Sequence, residues 1–217
     1  KERAIYDRLR RDSFTELDNG GKITATTVLT KLLRLQQFTG GFLVADDAAK
    51  PELVSTGKLD ALSDIIQDYV LEGKKKLVIF ARLIPEVLEI IKRSESIIGK
   101  SGMKTVAIYG AIPKEQRGDI VQQFQKDPST MVLVGQIDTA GTGITLTAAD
   151  TCVYYSVTFN YATYSQSLAR IHRIGQRNTC TYIHLVAENT VDSTILKSLS
   201  KKEDLAKTVV DDWRQFF

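Results

Sequence analysis

The chain has 217 residues, 43% of them hydrophobic and 25% charged, and its 29 basic against 26 acidic side chains leave a net charge of +3. That length favours one large domain or one and a half, and that mixture buries enough apolar surface to exclude a disordered chain. Apolar runs such as LVIFA and MVLVG are far below the ~20 residues that span a bilayer, and two cysteines build neither a disulfide framework nor a zinc site. No basic-then-apolar leader opens the sequence, so a reducing, intracellular location is the expectation. The start at Lys1 without a Met is expected of a piece cut from a longer polypeptide.

The first stretch, KERAIYDRLRRD, reads as a mostly polar helix that is expected to lean on something outside the chain. Val28, Leu32 and Leu35 follow i, i+4 and i+7, with Leu29 and Leu33 beside them, which predicts a second helix ended by Gly40-Gly41. Ser55 or Thr56 can cap a third helix whose apolar face is Leu59, Leu62, Ile65, Ile66, Tyr69 and Val70, with Gly73 at its end.

From Lys76 the rhythm becomes α/β. KLVIFA (76–81) is a short continuous apolar run, as a parallel strand covered on both faces requires, and KTVAIYG (104–110), MVLVGQ (131–136), TCVYYS (151–156) and TYIHLV (181–186) read as four more strands. Pro85 and Pro113 open helices between them, YSQSLARIHRIG reads as another, and a last helix over 191–213 carries Ile195, Leu199 and Leu205. Strands alternating with helices predict an α/β fold with right-handed crossovers and functional residues at the carboxyl ends of the strands.

Chemistry concentrates in two segments. On a helix, Gln166, Arg170 and Arg173 of QSLARIHRIGQ share one face, while Leu168, Ile171 and Ile174 form another that packs on the sheet. Two guanidiniums one turn apart repel unless they serve separate anions or one polyanion; the other reading is a solvated face with two stray arginines. Residues 151–187 contain no carboxylate but hold Arg170, Arg173, Arg177 and both histidines. A buried strand and helix would exclude acids in this way, and so would a surface that meets phosphate. In DTAGTGITLTAAD (138–150), Gly141 and Gly143 with Thr139, Thr142 and Thr145 let backbone N–H groups and hydroxyls approach a ligand, although a tight strand-to-helix turn explains the pattern as well.

No GxxxxGK[ST] loop and no DExx strand end occur, so nucleotide hydrolysis would need machinery that lies elsewhere. His172 and His184 have no partner at ligand spacing, so no metal site is expected. Neither cysteine sits in a motif that favours a reactive thiolate; Arg117 reads as structural and Phe124 and Tyr69 as core.

Taken in order, these segments resemble the second RecA-like lobe of superfamily 2 helicases, specifically the Swi/Snf-type DNA translocases. VLTKLLRLQQ is similar to the helix that opens that lobe, STGKLDALSDII to the family's SGK helix, and KLVIFARL to motif IV. IYGAIPKEQRGDIVQQFQKD matches the family's glycine, arginine and phenylalanine pattern at Gly110, Arg117 and Phe124; DTAGTGITLTAAD resembles motif V and QSLARIHRIGQ motif VI.

The resemblance implies a RecA-like parallel sheet sandwiched by helices over 51–188, preceded by helical lead-in from a missing first lobe over 1–50 and followed by a C-terminal helix over 189–217. It implies an ATP hydrolase that works only as part of a two-lobe protein, with ATP and Mg2+ held mainly by the first lobe. Arg170 and Arg173 then reach across to ATP, with Gln166, Gln176, Gly141 and Gly143 in support, while Thr139, Thr142, Thr145 and Arg82 meet the DNA backbone. The implied partners are double-stranded DNA and the N-terminal lobe of the same polypeptide, with no membrane. The implied location is the cytoplasm, at the nucleoid in a bacterium.

Departures from the family pattern are Gly141-Thr142 and Thr145 for Gly-Gly and Asn, Phe159-Asn160-Tyr161 for Trp-Asn-Pro, and Ser156 for an acidic residue. The compact loops resemble bacterial or phage members rather than large chromatin remodellers. A DEAD-box RNA helicase lobe is the nearest rival, but HRIGQRN places Gln176 where that motif has arginine. A non-catalytic nucleic-acid or protein-binding module of the same fold is the rival from another class; a phosphate loop upstream of Lys1 would decide for the enzyme.

Overall fold

The computed structural model describes residues 2–18, 25–43, 51–140 and 143–202. In chain order the elements are α1 (Glu2–Asp18), α2 (Ala25–Thr39), β1 (Phe42–Leu43), β2 (Glu52–Leu53), α3 (Gly57–Ile66), β3 (Leu77–Ala81), α4 (Ile84–Ile98), β4 (Lys104–Ile108) and α5 (Lys114–Lys126). They continue with β5 (Thr130–Gln136), α6 (Ile137–Ala140), β6 (Thr151–Tyr154), α7 (Tyr161–Leu168), β7 (Thr181–His184) and α8 (Val191–Ser200). The last expected helix stops at Ser200, before the turn in which Lys202 takes a φ of +62°, and Leu205 to Trp213 lie outside the described residues. No helix among the described residues is long and apolar enough to cross a membrane. The chain divides into two compact units, one of Lys1–Thr56, Phe159–Tyr161 and Ala187–Phe217, the other of Gly57–Thr158 and Ala162–Val186.

In the first unit, α2 buries Val28, Leu32 and Leu35 on the face that the heptad-like spacing predicts. It stops at Thr39, and in the turn after it Gly41 takes a φ of +94° that suits glycine, where an added Cβ would meet the Ser55 carbonyl at 2.4 Å. The expectation that the polar first helix leans on something outside the chain is corrected. Tyr6 is buried, its ring lies 6.1 Å from that of Phe38, and its hydroxyl accepts the Val191 N–H at 2.7 Å. Arg3 adds donors to the Glu188 and Asn189 carbonyls, both at 2.9 Å. One aromatic anchor is enough to dock an otherwise hydrophilic helix, because a buried tyrosine combines large apolar area with one satisfied hydroxyl. The Asp192 carboxylate, also buried, accepts from Thr39 Oγ1 at 2.8 Å and from Ala187 N–H at 3.1 Å.

The second unit carries the predicted parallel sheet, in the order β4-β5-β3-β6-β7, with Ile79 of β3 in register with Val134 on one side and Val153 on the other. All five residues of β3 are buried, which is why its sequence shows an unbroken apolar run instead of alternation. Leu77, Ile79 and Ala81 face a core built with Leu59, Leu62 and Ile66 of α3 and Val87, Ile90 and Ile98 of α4. Phe80 instead meets Tyr154 at 5.7 Å between ring centroids, and Tyr154 meets Tyr164 of α7 at 5.4 Å. Lys76, just before β3, donates to the Phe124 and Asp127 carbonyls at the end of α5 and lies 5.2 Å over the Phe124 ring. A cation on the last carbonyls of a helix completes their bonding and opposes the helix dipole. Crossovers of this kind leave the loops after β3, β5 and β6 at one edge of the sheet, where the candidate residues gather.

Candidate nucleotide and nucleic-acid site

The helix expected over YSQSLARIHRIG stops at Leu168, before either arginine. The Arg170 N–H turns back to the Ser167 carbonyl at 3.1 Å, and the Arg170 carbonyl receives the Leu146 N–H at 2.9 Å. Tyr182 Oη donates to the Leu168 carbonyl at 2.7 Å and so takes up a free acceptor at the helix end. Gln166, Arg170 and Arg173 therefore do not form one helical face. Ile171 is buried as expected and Leu168 partly so, but Ile174 is fully exposed and packs on nothing.

What brings the two arginines together is a carbonyl, not a helix. Arg170 Nη1 donates to Ile144 O at 3.2 Å and Arg173 Nη1 approaches the same oxygen at 3.5 Å. Arg170 Nε is held by the Gln166 carbonyl at 2.8 Å, while the Gln166 side chain itself is exposed. Burial and the neighbouring Arg173 both push the Arg170 guanidinium below its ordinary pKa. Among the described residues, no carboxylate forms an ion pair with either arginine.

Gln176 locks the two segments together. Its Nε2 donates to Ala149 O at 2.8 Å, Ile171 O at 3.2 Å and Thr147 O at 3.3 Å; its Oε1 accepts the Arg177 and Asn178 N–H groups, each at 3.0 Å. Within the 138–150 turn, α6 follows β5 directly and Gly143 takes a φ of +75°, a conformation L side chains rarely adopt. Thr145 is half-buried, and Gly141 and Thr142 lie outside the described residues.

Arg82 follows β3 with its guanidinium half-buried; burial lowers its pKa, opposed by the Asp138 and Glu86 carboxylates. Two residues at this edge escaped the motif reading. Gln136 receives Gly110 N–H at 2.9 Å and Thr139 Oγ1 at 3.2 Å and donates to Arg82 O at 3.3 Å. Lys58 donates to Tyr155 O at 3.2 Å, beyond the end of β6. A glutamine closing an apolar run is the one visible signal for Gln136, and the STGK segment, similar to the family's SGK helix, is the one for Lys58.

The chain as a whole is similar to known proteins. A family model described as "Helicase conserved C-terminal domain" matches residues 57–175. The chain belongs to the helicase C-terminal domain family. An uncharacterized ATP-dependent helicase of Mycoplasma genitalium is 26% identical over 209 residues, 96% of this chain and 20% of the relative. Helicase SWR1 of Yarrowia lipolytica is 33% identical over 156 residues, 72% of this chain and 8% of the relative. The chain thus spans a fifth or less of the length of these curated relatives. Among solved structures, the Sulfolobus solfataricus SWI2/SNF2 ATPase core in complex with dsDNA superposes with a TM-score of 0.69 and 25% identity, over 96% of this chain and 43% of that one. The C-terminal domain of the same ATPase gives a TM-score of 0.65 at 23% identity over 96% of this chain and 83% of that one, a likeness of fold.

Within this helicase C-terminal domain the 138–150 turn and the 166–176 segment are joined through Ile144 and Gln176. The 166–176 segment is bordered by an open groove of about 620 Å³ lined by His172, Arg173, Ile174, Arg177 and Asn178. Among the described residues, no group of three or more His, Cys, Asp or Glu is placed to hold a metal ion. Burial pushes both thiols up, Cys152 most, so neither is an activated nucleophile.

Proposed function

We propose that the chain is the C-terminal motor lobe of an ATP-dependent double-stranded-DNA translocase. The observation that carries this reading is the convergence of Arg170 and Arg173 on one carbonyl with no ion-paired carboxylate among the described residues. Two like charges held together in this way are incomplete without an anion, and a triphosphate supplies several oxygens that planar guanidinium forks fit. The ATP-dependent helicases among the relatives and the dsDNA complex of the Sulfolobus neighbour support the choice of nucleotide and of nucleic acid.

In this reading ATP and Mg2+ are held by an N-terminal lobe of the same polypeptide, and closure of the two lobes brings Arg170 and Arg173 to the phosphates. An arginine that arrives on closure stabilises charge developing in the transition state without holding nucleotide tightly beforehand. Gln176 and Gln166 keep motif VI in place for that approach. Motif V, with Thr139, Thr142 and Thr145, and Arg82 after β3 meet the DNA backbone. The shared Ile144 carbonyl makes any shift of motif V a shift of both arginines, a direct physical route from DNA to nucleotide. DNA-stimulated ATPase of the two-lobe polypeptide, with and without its motif VI arginines, tests the proposal. An ATPase that duplex DNA leaves unchanged would contradict it.

A further inference from the structure

One side chain ties together the loops that follow three neighbouring strands. Gln136 ends β5 at the carboxyl edge, in register with Ala81 of β3. Its Oε1 accepts Gly110 N–H, beyond β4, at 2.9 Å and Thr139 Oγ1, on α6, at 3.2 Å, while Nε2 donates to Arg82 O at 3.3 Å. The bonding runs on from there: Arg82 N–H donates to Ser156 Oγ at 2.8 Å, and Ser156 donates to Glu86 Oε2, which also accepts Leu83 N–H at 3.0 Å. A hydrogen-bonded strap therefore crosses the carboxyl ends of β4, β5, β3 and β6, four strands that are adjacent in the sheet.

The sheet does not need this strap to form. Its strands are already laddered through their backbones and covered by apolar side chains. A half-buried amide at an edge could also satisfy itself with water at little net cost. What the three bonds determine is the spacing of the loops. Donors that must meet successive phosphates of a duplex bind better when their spacing is set beforehand, because less freedom is lost on contact.

We infer that Gln136 is the positioning residue of the nucleic-acid face, holding the Arg82 and Thr139 loops at the separation a DNA backbone requires. This rests on the motor reading above, in which those loops meet DNA. Gln136 itself touches no phosphate; it acts through the loops it ties.

The test uses the polypeptide carrying both lobes, with a random-sequence duplex as probe. Gln136→Met keeps side-chain length and bulk but removes all three bonds. The duplex concentration for half-maximal ATPase stimulation should rise roughly fivefold to tenfold, the scale of one to two lost hydrogen bonds. The KM for ATP and the melting temperature should stay at wild-type values, and amide exchange at Gly110 should speed up because its acceptor is gone. Gln136→Asn has the same chemistry but is one methylene short of its partners, and carries the same comparison if the Met variant does not fold. An unchanged duplex half-saturation alongside faster Gly110 exchange would overturn the inference, since the tie would then be real without positioning DNA. Turnover that falls only with the folded fraction, at wild-type half-saturation, would reduce Gln136 to packing and overturn it too. A wild-type protein that no duplex stimulates would instead overturn the motor reading, and this inference with it.

Discussion

Gln176 gives its side-chain amide to the carbonyl of Ala149 at 2.8 Å, and through the same nitrogen reaches Thr147 and Ile171. All of its polar atoms are engaged, since Oε1 caps the amides of Arg177 and Asn178. Gln176→Ala should therefore cost about 1–3 kcal/mol, because it strands carbonyls of the buried Ala149 and Ile171. Gln176→Glu should do no better, since a carboxylate oxygen would face three carbonyls. Thermal unfolding measures the loss, and amide exchange at Arg177 and Asn178 localises it. A Gln176→Ala protein with a wild-type melting temperature would remove the clamp.

His184 lies stacked on Tyr154, with centroids 4.8 Å apart and planes 10° apart, and its Nε2 is bonded to Tyr164 Oη at 2.9 Å. Burial lowers its pKa below the ordinary 6.5, so the folded ring resists protonation. The unfolded chain takes up the proton first as pH falls. Stability contributed by neutral His184 is thus present above about pH 6.5 and lost as pH drops from there toward the folded pKa. Denaturant melts at pH 7.5 and 5.5 should show lower stability in acid, and His184→Phe, which keeps the stack, should flatten the difference. A His184→Phe protein with the same pH slope as wild type would assign that slope to other groups.

Residues 1–217 alone should hydrolyse no ATP. The sequence holds no phosphate loop, and no metal-holding cluster occurs among the described residues, so the motif VI arginines have no positioned phosphate to act on. Magnesium-dependent turnover by this purified chain, well above that of an Arg170→Ala, Arg173→Ala double variant, would place a complete site within it.

The strands were legible because the central runs are apolar on both faces, and Leu77 to Ala81 shows why: every residue is buried, whereas the edge strands β4 and β7 are only partly so. The helix that the spacing predicts through Arg170 and Arg173 stops at Leu168 for a reason local spacing cannot carry. Gln166, Arg170 and Arg173 have helical spacing, but Leu146, distant in sequence, takes the Arg170 carbonyl, and Ser167 takes the Arg170 amide. Tertiary bonds won over periodicity there. Tyr6 was undervalued because one aromatic in a polar stretch barely raises its amphipathicity, although it decides where α1 docks. Gln136 carries no motif at all, and its importance arises from the strand order, which brings Gly110, Arg82 and Thr139 to it from three different loops.

DNA binding by the two-lobe polypeptide should be insensitive to sequence and steeply dependent on salt, because phosphate contacts release counterions and carry no base code. Arg82→Gln should weaken binding to random duplexes and reduce the slope of log affinity against log salt by about 0.9, the share of one phosphate contact. The structure makes this a sharp test, since the half-buried Arg82 also feels Asp138 and Glu86. An unchanged slope would mean that its charge is spent on those carboxylates and not on DNA.

Arg170 and Arg173 are expected to separate in stability while agreeing in catalysis. Replacing either with Ala in the two-lobe polypeptide should lower DNA-stimulated kcat by roughly 10²-fold or more, below the range for a single arginine finger because the second guanidinium compensates in part. Arg170 is half-buried and braces the Gln166 and Ile144 carbonyls, so Arg170→Ala should also cost about 1 kcal/mol of stability. Arg173 is exposed and makes only a long contact, so Arg173→Ala should stay within about ±0.5 kcal/mol. Arg173→Lys should not restore the rate, because an ammonium lacks the two-pronged donor geometry. Steady-state ATPase at saturating duplex, paired with thermal unfolding of each variant, reads both quantities at once. Near-normal kcat in a well-folded Arg173→Ala protein would take that residue out of the mechanism. For Arg170 the deciding case is a rate that follows the folded fraction, which would leave it as the brace of Ile144 and nothing more.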